Sequence, residues 1–128
     1  MEELTMVGMT EEEKADFVME QSMSIIMSAG DARVKASEAV DAIVEGRLDD
    51  AKALLKEADK LQAKAHNVQT DMIQGDIRGG EEKMGYFVLF AHAQDTLMTI
   101  QVEINMTKAM LKIAEKYEAR LAALEKEI

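Results

Sequence analysis

Apolar residues recur every three or four positions along nearly the whole chain, and that period predicts three long helices. In the first, Ala15, Val18, Ile25, Ile26, Ala29, Ala36, Val40, Ile43 and Val44 share helical spacing. Thr10 with Glu13 reads as a capping box at its start. Gly30 interrupts the pattern, and Gly46 suits the C′ position that ends it. The small side chains of Ser28-Ala29-Gly30-Asp31-Ala32 let another helix approach closely. The second stripe runs Leu48, Ala51, Leu54, Leu55, Ala58, Leu61, Ala65, Val68, Met72, with Gly75 and Gly79-Gly80 as its break. The third helix is expected to start between Glu81 and Tyr86 and to run to the end. At 1.5 Å per residue it would span about 63 Å. The expected helices are therefore about 10–45, 48–74 and 83–126, with residues 1–9 a flexible tail. The fold class is all-α, an antiparallel three-helix bundle.

The third helix carries two apolar stripes. One is Phe90, Leu97, Ile100, Ile104, Leu111, Ala114; the other is Ala91, Met98, Val102, Met106, Ala109, Ile113. One stripe suffices to pack a helix on its own bundle. Two predict a second buried surface, hence an oligomer of three-helix protomers. The alternative is a central helix in a monomer, for which only two other helices are available.

Composition narrows the class further. A chain of 128 residues reads as one domain. It is 48% hydrophobic but only 4% aromatic, with no proline, which is a helix former's composition. The only β-prone run is Tyr86-Phe87-Val88-Leu89-Phe90. Fifteen Lys and Arg against 25 Asp and Glu give a net charge of −10, which argues against nucleic acid, since phosphate backbones need a basic patch. With no cysteine there is no disulfide, zinc finger or thiol nucleophile. No signal peptide and no span-length apolar run are visible, so the expectation is a cytoplasmic protein without membrane insertion.

The residues with chemical potential lie in Phe90-Ala91-His92-Ala93-Gln94-Asp95-Thr96-Leu97-Met98-Thr99. Neutral imidazole is a nucleophile when one ring nitrogen keeps its lone pair, so His92 can accept a phosphoryl group. Thr96 and Thr99 hydroxyls share its helical strip and could donate to phosphoryl oxygens. Gln94 could donate too, but only with a bend or a neighbouring chain. Asp95 falls in the second apolar stripe, where a buried carboxylate needs a partner. Either a lysine or arginine of another helix, such as Arg33, pairs with it, or copies of Asp95 converge on a hard cation such as Mg²⁺. His66, in Ala65-His66-Asn67-Val68-Gln69-Thr70, shares a polar strip with Gln62, Gln69 and Thr70 and reads as hydrogen-bonding support. A metal-dependent enzyme using His66, His92 and Asp95 is a rival, and no phosphate-binding glycine loop is found.

Three stretches occur in an order that resembles a known family: Ala29-Gly30-Asp31-Ala32-Arg33, Ala65-His66-Asn67-Val68-Gln69-Thr70 and His92-Ala93-Gln94-Asp95-Thr96-Leu97-Met98-Thr99. Over roughly residues 17–118 the chain is similar to enzyme IIA of the lactose/cellobiose (chitobiose) class of the bacterial phosphoenolpyruvate-dependent sugar phosphotransferase system. That resemblance implies a homotrimer of three-helix protomers, a nine-helix bundle. It implies that His92 takes a phosphoryl group from the phosphohistidine of HPr and gives it to a cysteine of the IIB component, which serves the membrane IIC permease. It also implies that Asp95 from three subunits meets at the trimer axis around Mg²⁺ or a similar divalent cation. The family motif has a second histidine where this chain has Thr96. That departure is the one feature that favours the other reading, a non-transferring regulatory or scaffolding bundle of the same fold, but it does not remove the nucleophile, so the carrier assignment stands.

Overall fold

The structure, a computed structural model, describes residues 8–78 and 87–128. Three helices account for almost all of them: α1 (Glu11–Val44), α2 (Leu48–Arg78) and α3 (Val88–Lys126). No strand occurs among the described residues. The capping box expected at the start of α1 is formed. Thr10 Oγ1 accepts from the Glu13 amide at 3.1 Å, and Glu13 reaches back to the Thr10 amide. Gly46, at φ +79°, closes α1. The Arg47 amide donates to the Ala42 carbonyl at 2.8 Å and the Gly46 amide to Ile43 at 3.1 Å, a Schellman arrangement.

The core is a heptad-spaced seam on each helix. On α1 it runs Val18, Ser22, Ile25, Ala29, Ala32, Ala36, Ala39; on α2 it runs Ala51, Leu55, Ala58, Gln62, Ala65, Met72; on α3 it runs Phe90, Ala93, Leu97, Ile100, Ile104, Thr107, Leu111. Alternating steps of three and four keep one stripe facing its partners along helices of this length. The alanines of α1 remove bulk from the centre of the bundle, so the larger side chains of α3 fill it.

Cross-helix pairs set the register. Lys35 meets Glu57 at 3.2 Å, Arg33 meets Glu103 at 2.8 Å, and Lys108 meets Asp59 at 2.8 Å. Asp59 lies against Lys108 and Gln62 against Leu97, so α2 runs antiparallel to α3, while Arg33 to Val40 line one groove with Glu103 to Met110, so α1 and α3 are parallel.

α1 passes through Gly30 without a break, as the expected span 10–45 requires, since one glycine costs a long helix only about 1 kcal/mol. Other boundaries depart from the expectation. For the same reason α2 continues through Gly75 to Arg78; the expected Gly79-Gly80 break lies outside the described residues. Met9, assigned to the flexible tail, packs against the core, while residues 1–7 are not described. Residues 81–86, where α3 was expected to begin, are also outside the described set. Phe87 is extended, at φ −123° and ψ 121°, and α3 begins at Val88. The β-prone run Tyr86–Phe90 is thus split: its aromatic Phe87 stays extended and Val88 turns into the helix.

Candidate functional site

The start of α3 at Val88 places His92 one turn inside the helix. Side chains of a helix lean toward its N-terminus, so the imidazole of His92 leans over the first turn. That turn carries no side-chain cap: Phe87 offers none, and the amides of Val88, Leu89 and Phe90 precede the first intrahelical bond, Ala91 N–H to Phe87 O at 3.1 Å. Among the described residues no group caps these amides, and they and the helix dipole favour negative charge there. His92 is exposed, as is Thr99, while Gln94 and Thr96 are half-buried. The late helix start was not legible in the sequence, because the Tyr86–Phe90 run fits strand and helix alike.

Thr96 behaves differently from the expectation that it donates to a phosphoryl group. Its hydroxyl donates to the His92 carbonyl at 2.8 Å. A hydroxyl has one proton, so in this arrangement Thr96 turns only lone pairs outward, and its tie is to the backbone of the histidine.

Asp95 is exposed and not buried in the protomer. Arg33 is not its partner; the Arg33 guanidinium lies in a two-pronged pair with Glu103, Nε to Oε2 at 2.8 Å and Nη2 to Oε1 at 2.9 Å. The hydrogen bond to Glu103 raises the Arg33 pKa further above its already high value, against a small desolvation effect. Asp95 instead stands among Ala91, Met98 and Val102 on the second stripe of α3. That stripe is open: Met98, Val102 and Ile113 are 59%, 60% and 59% exposed, which is far from the burial a second stripe requires. Among the described residues no three His, Cys, Asp or Glu side chains converge on a metal position, so His66, His92 and Asp95 do not make a metal centre within one protomer.

His66 is exposed on α2. The antiparallel register carries it toward the His92 end of α3, but no hydrogen bond ties it to the site. The residue that does connect α2 to this stretch of α3 is Gln62. It is buried, and its Nε2 donates to the Leu97 carbonyl at 2.8 Å while its Oε1 has no partner among the described residues. Gln62 therefore does not belong to the polar strip of His66: it is buried while His66 is exposed. The signal was available: Leu55, Ala58, Gln62 and Ala65 keep heptad steps, and Gln62 completes the core seam.

Pairwise and family comparisons agree with this geometry. Residues 20–115 match the family described as PTS system, lactose/cellobiose specific IIA subunit. The chain is 33% identical over 101 residues to the lactose-specific EIIA component of Staphylococcus epidermidis, covering 79% of this chain and 95% of that one. Its fold superimposes on PtcA from S. mutans with a TM-score of 0.74 and 31% identity, over 78% of this chain and 96% of that one. It also superimposes on the solution structure of the IIA(Chitobiose)–HPr complex of Escherichia coli with a TM-score of 0.70 and 32% identity, covering 79% of this chain and 96% of that one. Three helices with the His92 motif on the second turn of the last one, and a family match across most of the chain, lead to one assignment: this chain belongs to the lactose/cellobiose-specific IIA subunit family of the sugar phosphotransferase system, whose members are phosphocarriers.

Proposed function

We propose that His92 accepts a phosphoryl group from the phosphohistidine of HPr and passes it to the cysteine of a cognate IIB component, during uptake of a β-linked disaccharide through a membrane IIC permease. The observation that carries this reading is an exposed His92 on the second turn of α3, over an uncapped helix N-terminus. In the first step the Nε2 lone pair attacks phosphorus, a new N–P bond forms and the N–P bond on HPr breaks, returning that imidazole its lone pair. In the second, the IIB thiolate forms an S–P bond while the His92 N–P bond breaks. Beyond the His92 nucleophile itself, each step needs only positioning and electrostatics. The first-turn amides and dipole of α3 favour the added negative charge, since helix N-termini bind anions. Two further facts support the partner assignment: the E. coli relative was solved with HPr, and this chain has no cysteine of its own to act as the IIB step.

The working unit in this reading is a cytoplasmic homotrimer that buries the open α3 stripe, with Gln94 reaching the site of a neighbour and Thr99 and His66 beside the phosphoryl group. Three copies of Asp95 meet at the trimer axis around Mg²⁺ or a similar cation. The sugar is left open, since the relatives' names include lactose and chitobiose.

The test is reconstitution with phosphoenolpyruvate, enzyme I, HPr and Mg²⁺, read by intact mass. One acid-labile phosphate that maps to His92, leaves on adding IIB, and is missing from a trimeric His92→Ala variant is the expected result. Labelling that survives His92→Ala refutes the reading. No label beside confirmed phospho-HPr favours the non-transferring bundle suggested by Thr96.

A further inference from the structure

The two histidines lie on opposite flanks of α3. His92, Thr96, Thr99 and Glu103 share one strip of that helix, at steps of four, three and four. Glu103 pairs with Arg33, so this strip faces the furrow between α1 and α3. Gln94, Gln101 and Lys108 share another strip, at steps of seven. Lys108 pairs with Asp59, so that strip faces the furrow between α2 and α3. His66 stands seven residues after Asp59, on the same side of α2. At about 100° per residue the two strips of α3 lie about 160° apart. One protomer therefore cannot bring His66 to its own His92. His66 is exposed and has no hydrogen bond or ion pair among the described residues. On the His92 strip, the Thr96 hydroxyl is already tied to the His92 carbonyl at 2.8 Å.

We propose that the phosphoryl group on His92 is met by His66 of the partner subunit, which supplies across the interface the second imidazole that Thr96 does not. This rests on the carrier role and the trimer of the preceding section, and it assigns which chain completes the site. The open stripe of α3, with Asp95, lies between the two strips. Around a threefold axis that turns this stripe inward, one flank of each α3 turns toward the opposite flank of the next copy. The furrow that holds His92 then faces the furrow that holds Gln94 and His66. Rotation about an axis along the helices keeps every residue at its own level. Asp59 meets Lys108 and Gln62 meets Leu97, so antiparallel α2 carries His66 to the level of residues 93–101 of α3. The middle of that range is about five residues past His92, or about 8 Å along the axis. Two imidazole side chains with a phosphoryl group between them span that distance. The role is electrostatic, because a transferring phosphoryl group spreads its charge over three equatorial oxygens. A ring N–H of the partner subunit's His66 donates to one of them, keeps its proton and forms no bond to phosphorus.

Mixed trimers separate this from a role within one chain. In single-turnover transfer from phospho-HPr, a His66→Ala trimer is expected to be slower than wild type by about tenfold or more, the loss that goes with one hydrogen bond to a charged group. Co-expression with an excess of differently tagged His92→Ala chains then gives each His66→Ala chain, which keeps the nucleophile, neighbours with an intact His66. Purified through both tags, these mixed trimers are expected to transfer within about threefold of the wild-type rate per His92. A His66→Ala trimer as fast as wild type overturns the proposal. Mixed trimers that stay slow also overturn it, since His66 would then act within its own chain. In both cases label on wild-type His92 leaves the carrier reading standing. A wild-type chain that takes no label beside confirmed phospho-HPr overturns the carrier reading and this proposal together, and a wild-type chain that is monomeric at all concentrations overturns the trimer and this proposal together.

Discussion

Thr96 offers the sharpest separation between a residue that touches the phosphoryl group and one that shapes the helix beneath it. The substitution is Thr96→Val, which keeps the β-branched shape and removes only the hydroxyl. In the structure that hydroxyl donates to the His92 carbonyl at 2.8 Å. Inside α3 the same carbonyl also accepts the intrahelical bond from the Thr96 amide, so removing the hydroxyl leaves no orphaned acceptor. The stability change should stay within about 0.5 kcal/mol, because such back-bonds in helices are close to neutral. Loss of a hydrogen bond to a charged phosphoryl oxygen would be different: about 1.5–3 kcal/mol, or about 10- to 150-fold in rate. Single-turnover transfer from phospho-HPr, quenched in base to preserve phosphohistidine, measures the difference. The expected change for Thr96→Val is under about threefold, equivalent to less than about 0.7 kcal/mol. A loss above tenfold in a correctly folded variant, recovered by Thr96→Ser, would refute the reasoning and return the Thr96 hydroxyl to the phosphoryl group.

Gln62→Leu should raise stability by about 1 kcal/mol: it gives up one ordinary hydrogen bond, removes the unpartnered Oε1, and adds apolar contact in the core. Thermal melts at matched protein concentration check this, and a clear fall in melting temperature would mean that Oε1 has a partner. Gly30→Ala should stabilise α1 by about 0.5–1 kcal/mol, because an added Cβ meets nothing within 4 Å in the protomer. If it instead breaks the oligomer, seen by sedimentation, a neighbouring copy occupies that space. Asp95→Leu should leave a trimer that withstands a metal chelator, since three like charges become apolar. A monomeric variant beside a trimeric wild type would make the carboxylate–cation contacts essential to assembly, and one bound ion per three chains would be the corresponding metal stoichiometry.

Much of this protein is written in its periodicity. The apolar steps of three and four, the Thr10–Glu13 box and Gly46 place the first two helices and the turn between them, because each acts through contacts a few residues apart. The motif from His92 to Thr99 points to the nucleophile for a similar reason: a helix places fixed neighbours around each side chain. The exposed second stripe of α3 is legible too, as an apolar face that three helices cannot cover.

What the tertiary structure decided concerns groups whose partners lie far away in sequence. Arg33 is taken by Glu103 and not by Asp95, because parallel packing of α1 and α3 brings those two side chains level. Gln62 sits inside, because only a third helix can offer it the Leu97 carbonyl. Glycines 30 and 75 do not end helices, because the local preference of one residue, about 1 kcal/mol, is outweighed by burial along thirty or more. The start of α3 at Val88, which sets His92 over an uncapped first turn, likewise follows from where Phe90 and Ala93 must enter the core. Local sequence fixes which helices form and what chemistry they carry; the packing of each helix against the others fixes which polar groups meet and which are left facing outward.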